Sequence, residues 1–307
     1  MPNIIKAIKH PRKAVKNVLD TLLSKYAFLI KDDEKYIRLK WWLNMDYPLN
    51  LDNPHTFSEK LQWLKLNDHN PLYTTMVDKV AVKDYVASIL GKEYIIPTLG
   101  VYDKPEDINW VELPDRFVLK CTNDSNSVVI CKNKSKLDKE KVIKKYRRAL
   151  KHNYFYKGRE WPYKNVPRQI IAEAFIDPQP ESKDLRDYKF FCFNGEVKMF
   201  KIDFDRFVRH RANYYSPKGD LLKFGEVFCP PDYERIIDLP QEISQMKELA
   251  EKLSKDIPFV RIDFYLVKSQ ILFGEMTFYP AGGIGRYTST EWDRKIGSWL
   301  NLPLTTN

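Results

Sequence analysis

The chain has 307 residues, 43% of them hydrophobic and 14% aromatic, with a formal net charge of +10. This suits one large domain or two ordinary ones with a packed core, and excludes a largely disordered chain. No apolar run reaches the ~18 residues needed to span a bilayer, and the basic N-terminus lacks the apolar stretch of a signal peptide. Cys121, Cys131, Cys192 and Cys229 are scattered with no C-x-x-C pair. That pattern fits neither a zinc site nor a disulfide framework and suits a reducing cytoplasm.

The first element is basic. Residues 1–41 hold ten Lys/Arg against four Asp/Glu, a net +6, which leaves +4 for the rest of the chain. A nucleic-acid binder more often carries its basic surface on the folded body, so no such partner is expected. Ile4, Ile5, Ile8, Val15, Val18, Leu19, Leu22 and Leu23 recur at roughly helical spacing opposite Lys6, Lys9, Arg12, Lys13 and Lys16. Pro11 interrupts this helix or starts a second one. Two readings follow for the segment 1–45. Residues 1–30 lie on an anionic membrane surface, which would put the protein on the cytoplasmic face of the membrane. Alternatively, the apolar side packs on the domain.

Further along, Thr56 or Ser58 caps a helix carrying Leu61, Trp63 and Leu64. A helix opening at Asp78 stops at Gly91 and is followed by a short strand ending near Pro97. "DRFVLKCTNDSNSVVICKN" reads as a hairpin with a polar tip. Residues 136–154 form a basic helix, and "RQIIAEAFI" a strand. "DYKFFCFNGEVKMFKIDFD" turns at Asn194–Gly195, a strong hairpin signal. Residues 240–256 are a helix, "PFVRIDFYLVKSQILFGEMTFYP" a second hairpin turning near 268–270, and "TEWDRKIGSWLNL" a closing helix. Hairpins with intervening helices predict α+β with antiparallel sheets.

The last hairpin raises a chemical question. Asp263 and Glu275 lie six residues on either side of residue 269, so they can face each other across paired strands. Arg261 and Thr277 share their face by the two-residue period. Facing carboxylates repel unless a cation joins them, and Mg²⁺ with substrate phosphates is a natural occupant. The alternative is a strand pair neutralised by Arg261 and a lysine. Lys120, at the end of an apolar strand, and Lys79, at a helix start, are candidate phosphate contacts. The tip "TNDSNS" offers amide and hydroxyl groups.

Lys79, "IIP", "FVLK", "IIAEAFI", "DYKFF", "RIDF" and "GEMT", in this order, resemble the ATP-grasp superfamily. The similarity is to its TupA-like branch, named for teichuronopeptide biosynthesis, over about Phe57–Leu302. The resemblance implies an ATP-grasp fold in which two lobes clasp ATP: 46–115 as a small helical α/β part, 116–176 as a lobe with a phosphate-covering hairpin, and 177–307 as the lobe with the metal site. It implies ATP and Mg²⁺ as cofactors. Lys79 and Lys120 match phosphate lysines. Ser125, Asn126 and Ser127 lie in the covering tip. Glu173, Ala174 and Phe175 match the adenine-facing segment, with Asp187 near ribose and Lys189 near phosphate. Asp263 and Glu275 match metal carboxylates, joined by Thr277. Arg211, Arg261 and Arg286 are candidate catalytic or substrate-gripping cations. Two departures stand out: the tip has no glycine, and the final motif is Glu-Met-Thr where Glu-x-Asn is usual.

The implied reaction is carboxylate–amine ligation through an acyl phosphate, on a glycan- or sugar-linked substrate of a bacterial surface polysaccharide. Trp161, Tyr163, Tyr214, Tyr215, Tyr279 and Tyr287 are candidate sugar-stacking rings. The competing readings are a nucleotide-sugar glycosyltransferase, for which "DFD" at 203–205 is the only D-x-D match, and a non-catalytic membrane-docked scaffold.

Overall fold

The computed structural model describes residues 11–124, 127–177, 185–205 and 209–303. The candidates Ser125 and Asn126, and the apolar positions Ile4, Ile5 and Ile8, lie outside the described residues. Two antiparallel sheets organise the chain. The smaller has the order β1-β4-β2-β3, built from β1 (Thr98–Tyr102), β2 (Phe117–Cys121), β3 (Val129–Cys131) and β4 (Ile170–Ala174). The larger has the order β10-β9-β5-β6-β7-β8, built from β5 (Asp187–Phe193), β6 (Glu196–Phe204), β7 (Arg211–Tyr215), β8 (Leu221–Leu222), β9 (Phe259–Val267) and β10 (Gln270–Thr277). This is the expected α+β architecture.

Local chemistry explains the strands. In β2, Phe117, Leu119 and Cys121 are buried while Val118 and Lys120 alternate onto a partly open face. The β5–β6 hairpin turns where Asn194 and Gly195 take φ of 50° and 82°, the left-handed pair that suits a tight hairpin. The β9–β10 hairpin makes the same turn without glycine, through Lys268 and Ser269 at φ 48° and 62°. The strand expected before Pro97 is instead a 3₁₀ turn, Lys92–Tyr94, and β1 begins after the proline. A proline donates no ladder hydrogen bond, so the strand starts beyond it.

The expected division at 115/116 does not describe the sheet. β1 lies before it yet pairs with β4, with Tyr102 opposite Ile170. Helices α3 (Phe57–Asn67), α4 (Leu72–Val77) and α5 (Ala81–Leu90) lie within the expected segment 46–115 but bury Phe57, Leu61, Tyr73, Met76 and Val86 in the core of the large sheet. α3 opens with a full capping box between Thr56 and Glu59. The small lobe has its own core around Phe117, Leu119, Tyr146 and Ile170. Tyr146 comes from α6 (Lys139–Ala149), which is shorter than the predicted 136–154. α7 (Phe155–Gly158), α8 (Ile243–Leu253) and α9 (Thr290–Trp299) complete the helices used below.

At the N-terminus, α1 (Pro11–Lys25) runs against α2 (Asp33–Asn44) with its polar side inward. Lys40 of α2 donates to Asp20 (2.9 Å) and Ser24 (2.7 Å), and Asn44 donates to Asp20 (2.7 Å). Val15, Val18, Leu19 and Leu22 therefore point out, and no residue of α1 is buried. Along α1, then, the apolar side faces outward and is not packed on the domain. α2 does dock, burying Tyr36, Ile37 and Trp41. Arg159, 1% exposed, pins the connection by donating to the carbonyls of Ala27 (2.9 Å) and Ile30 (2.7 Å).

Candidate active site

The final hairpin brings its four named residues together. Asp263 faces Glu275 and Arg261 faces Thr277 in the β9–β10 ladder. The ladder slips by one residue at Gly274, and only this bulge sets Glu275 opposite Asp263. Arg261 grips the group. Its Nε donates to Asp263 (2.6 Å), and its Nη2 donates to Asp263 (2.7 Å), Glu275 (2.9 Å) and Thr277 (3.1 Å). Lys189 stands opposite Asp263 on β5 and donates to it at 2.6 Å. Asp187, also on β5, is 3.5 Å from the same ammonium.

Glu275 titrates unusually. Burial raises its carboxyl pKa, but Arg261 foremost, then Lys189, Lys79 and Lys120, outweigh this and hold it down to about 2. Its side chain is 45% exposed, opening onto the two cavities it lines.

A cavity of about 230 Å³ lies between the sheets. Lys79, Lys83, Lys120 and Lys189 line it together with Glu173, Asp187, Asp263 and Glu275. Val82, Ile95, Ile96 and Phe273 supply apolar wall. Glu173 of β4 holds two lysines, Lys120 of β2 and Lys83 of α5, each at 2.6 Å. Burial raises the Glu173 carboxyl pKa, and the two lysines more than reverse this, leaving it below the usual range. Lys79 donates to the Asp124 carbonyl at 2.5 Å, which ties it to the hairpin tip. Burial lowers its pKa. Ser127, in the same tip, donates its hydroxyl to Asp124 (2.6 Å) and accepts the Cys121 N–H (2.7 Å).

A second cavity of about 330 Å³ shares Glu275 and Tyr163 with the first. Arg261, Thr277, Lys65, Glu160 and Tyr279 line it, and Tyr36, Ile37 and Lys40 of α2 form one wall. Lys65 is buried and donates to Gln62 (3.0 Å) and the Gly282 carbonyl (2.7 Å). Burial lowers its ammonium pKa to about 8 and raises the Glu160 carboxyl pKa to about 7.

Several expected residues are elsewhere. Arg211 pairs with Asp232 (3.0 Å) on β7, three strands from β9, and Arg286 pairs with Asp46; neither lines either cavity. The Ala174 N–H is taken by the Pro97 carbonyl (3.0 Å), and the Phe175 ring lies under the Arg116 guanidinium at 4.9 Å. Tyr214 and Tyr215 are core residues, and Trp161 stacks on His69 at 5.1 Å, whereas Tyr163 and Tyr279 do line a cavity. The acids of "DFD" separate. Asp203 lies 3.6 Å from Lys201 and 3.7 Å from Lys189, while Asp205 pairs with Arg235 at 2.7 Å. Lys83, Lys65 and Glu160 were not singled out from the sequence. Lys83 had a signal, since it follows Lys79 by four residues at a helix start. Lys65 and Glu160 had none.

Asp263, Glu275 and the Thr277 hydroxyl converge on one face, and here Arg261 and Lys189 neutralise them, the arrangement that the sequence offered as the alternative to a bound cation. Oxygen donors of this kind suit a hard cation, which would have to take the place of Arg261 and Lys189 on them. The lysine-lined cavity with an apolar wall fits a nucleotide carrying phosphates.

The TupA-like ATP-grasp family model matches residues 59–301. No curated protein matches the chain. Among solved structures, the chain is similar to a D-alanine–D-alanine ligase from Bacillus anthracis complexed with ATP. That match has 15% identity and a TM-score of 0.36, covering 66% of this chain and 54% of that one. The Helicobacter pylori D-alanine–D-alanine ligase is 15% identical with a TM-score of 0.41, covering 80% of this chain and 69% of that one. A RimK-domain ATP-grasp protein from Sphaerobacter thermophilus is 11% identical with a TM-score of 0.41, covering 74% and 69%. The chain thus spans about half the length of the Bacillus anthracis ligase. Likenesses this distant bear on neither activity nor substrate. The family model, by contrast, covers most of the chain, the β9–β10 hairpin included: the chain belongs to the TupA-like ATP-grasp family.

Proposed function

We propose that the protein is an ATP- and Mg²⁺-dependent carboxylate–amine ligase acting on a bacterial surface polysaccharide. The observation that carries this reading is the position of Glu275. It lines both the lysine-rich cavity and the second cavity, so a nucleotide's phosphate end and a second substrate would meet beside it.

Mg²⁺-ATP, when bound, would give its γ-phosphoryl group to a carboxylate oxygen, leaving ADP and an acyl phosphate; an amine would then attack the acyl carbon and expel inorganic phosphate, forming an amide. The protein's share is positioning and charge. Asp263 and Glu275, with Thr277, would hold the metal. Lys79, Lys83, Lys120 and Lys189 offer four ammonium groups to phosphate oxygens. Lys120 and Lys83 would pass from Glu173 to that new anion. Arg261 faces the second cavity and suits a negative group there. Tyr163, between the cavities, keeps water from the reacting end.

The exposed apolar ridge of α1, flanked by Arg12, Lys13 and Lys25, supports work at an anionic membrane surface.

Thermal shift with Mg²⁺ and ATP, against UDP- and GDP-sugars, tests the reading. Stabilisation by ATP, lost in Lys120→Ala and Glu275→Ala, is expected. Stabilisation by nucleotide sugars alone would make the protein a glycosyltransferase, and by no nucleotide, a scaffold.

A further inference from the structure

The second cavity holds a carboxylate that the fold leaves unanswered. Glu160 is 5% exposed and lines that cavity beside Arg261, Glu275 and Thr277. Its side chain makes no hydrogen bond and no ion pair among the described residues; Lys65 and Lys157 act on it only through space. We propose that Glu160 binds the ammonium group of the amine substrate and takes the proton that the nitrogen must lose before it attacks. The inference rests on the ligase reading for that attack, and on the cavity alone for the binding.

Local structure aims the carboxylate. α7 ends at Gly158, and Arg159 follows in the left-handed region at φ 52°. The Arg159 guanidinium is fixed on the N-terminal segment, by Asp33 (2.8 Å) and by the carbonyls of Ala27 and Ile30. Glu160, next in the chain, enters the cavity. Two glycines leave space around it. A Cβ at 158 would lie 2.7 Å from Glu160 Oε1, and one at 282 would lie 3.8 Å from the same atom.

The cations around the cavity are engaged with other groups. Lys40 of α2 donates to Asp20 and Ser24, and Arg261 of β9 to Asp263, Glu275 and Thr277. Lys65 of α3 donates to Gln62 and to the Gly282 carbonyl. A buried carboxylate without a donor either carries a proton or awaits a group that donates to it. Burial raises the Glu160 pKa to about 7, which brings both forms within reach near neutrality. Glu160 and Glu275 repel an anion here, whereas an ammonium group offers three N–H donors. Lys65 disfavours a second positive charge nearby, so a bound ammonium holds its proton loosely.

The step balances. One proton of the ammonium passes to the Glu160 carboxylate, which becomes the acid. The freed lone pair forms the C–N bond to the acyl carbon, and the C–O bond to phosphate breaks. A second N–H proton departs with the phosphate, and the third stays on the amide. Glu160 returns its proton to solvent before the next cycle.

The test is carboxyl ¹³C NMR on the chain labelled with δ-¹³C glutamate. Glu160→Gln, with Glu160→Asp as a second variant, identifies the Glu160 resonance by its loss. In wild type that resonance should titrate well above the usual glutamate range. Propylammonium should lower its midpoint by about 0.5 or more, because a paired cation favours the charged carboxylate. Tetramethylammonium, which has no N–H, and 1-propanol, which has no charge, should leave it unmoved. An ordinary glutamate midpoint, no shift with propylammonium, or an equal shift with either control would overturn the inference. A propylammonium shift in a chain without a thermal response to Mg²⁺-ATP would keep the amine site and remove the ligase reading. A Mg²⁺-ATP response without that shift would do the reverse.

Discussion

Glu275 stands opposite Asp263 because the β9–β10 ladder slips by one residue at Gly274. A regular ladder would pair Gly274 with Asp263 and turn Glu275 to the other face. A Cβ at 274 would lie 3.0 Å from the Asp263 carbonyl oxygen and 3.2 Å from the Tyr265 ring. Gly274→Val should therefore destabilise the fold by about 1–3 kcal/mol in urea unfolding, as overpacking does. It should also abolish the Mg²⁺-ATP thermal shift. A variant with a full nucleotide response would show that the bulge is not what sets the site.

Glu173 is the counter-charge of two lysines, and Glu173→Ala would strand both. The expected loss is about 3–5 kcal/mol, the usual result of breaking a buried ion pair from one side. Added ATP should restore part of it, because phosphate replaces the missing anion. The Glu173 carboxyl pKa is depressed in the fold. Its contribution is present above the unfolded carboxyl pKa and fades as pH falls through the lower folded one. Equilibrium unfolding of Glu173→Gln from pH 7 downward should show a flatter acid limb than wild type.

Glu160 behaves in the opposite sense. Burial raises its carboxyl pKa from 4.5 to about 7, so the folded state holds a proton that the unfolded chain has released. Between those values wild-type stability should fall with rising pH. Glu160→Gln cannot ionise and should gain on wild type across that window, then keep a constant lead above it. Chemical denaturation at pH 4.5, 6 and 7.5 reads this directly; parallel curves would mean that Glu160 titrates normally.

Leu19→Glu and Leu22→Glu replace exposed residues of α1, so the fold should tolerate both. Each should reduce sedimentation with phosphatidylglycerol-containing vesicles several-fold, while vesicles of phosphatidylcholine alone should bind little of either variant or of wild type. Unchanged sedimentation would place the membrane contact elsewhere. A wild-type dimer dissociated by these changes would assign the ridge to a second copy of the chain.

Much of this site was legible in the sequence because strand chemistry is local. The alternation in "VRIDFYL" and "LFGEMTF" put Arg261, Asp263, Glu275 and Thr277 on one face, although the facing register depends on a bulge that counting from residue 269 reproduces by a different route. Asn194–Gly195 marked its turn through backbone preference alone. The orientation of α1 was not legible. Helical spacing separates apolar from polar sides but does not say which one a neighbour takes, and here Asp20 and Ser24 met Lys40. Lys65 and Glu160 come from distant segments, and only tertiary packing gives them a common wall. Arg211 and Arg286 were candidate catalytic or substrate-gripping cations, and the fold pairs them with Asp232 and Asp46, acids whose proximity the sequence did not show.

One carboxylate on β4 clasps ammonium groups from a helix and from a strand. On the proposed reading, a triphosphate entering this cradle would freeze few new rotamers and exchange one anion for another. Departure of the spent nucleotide would be the same exchange in reverse, with Glu173 reclaiming its lysines.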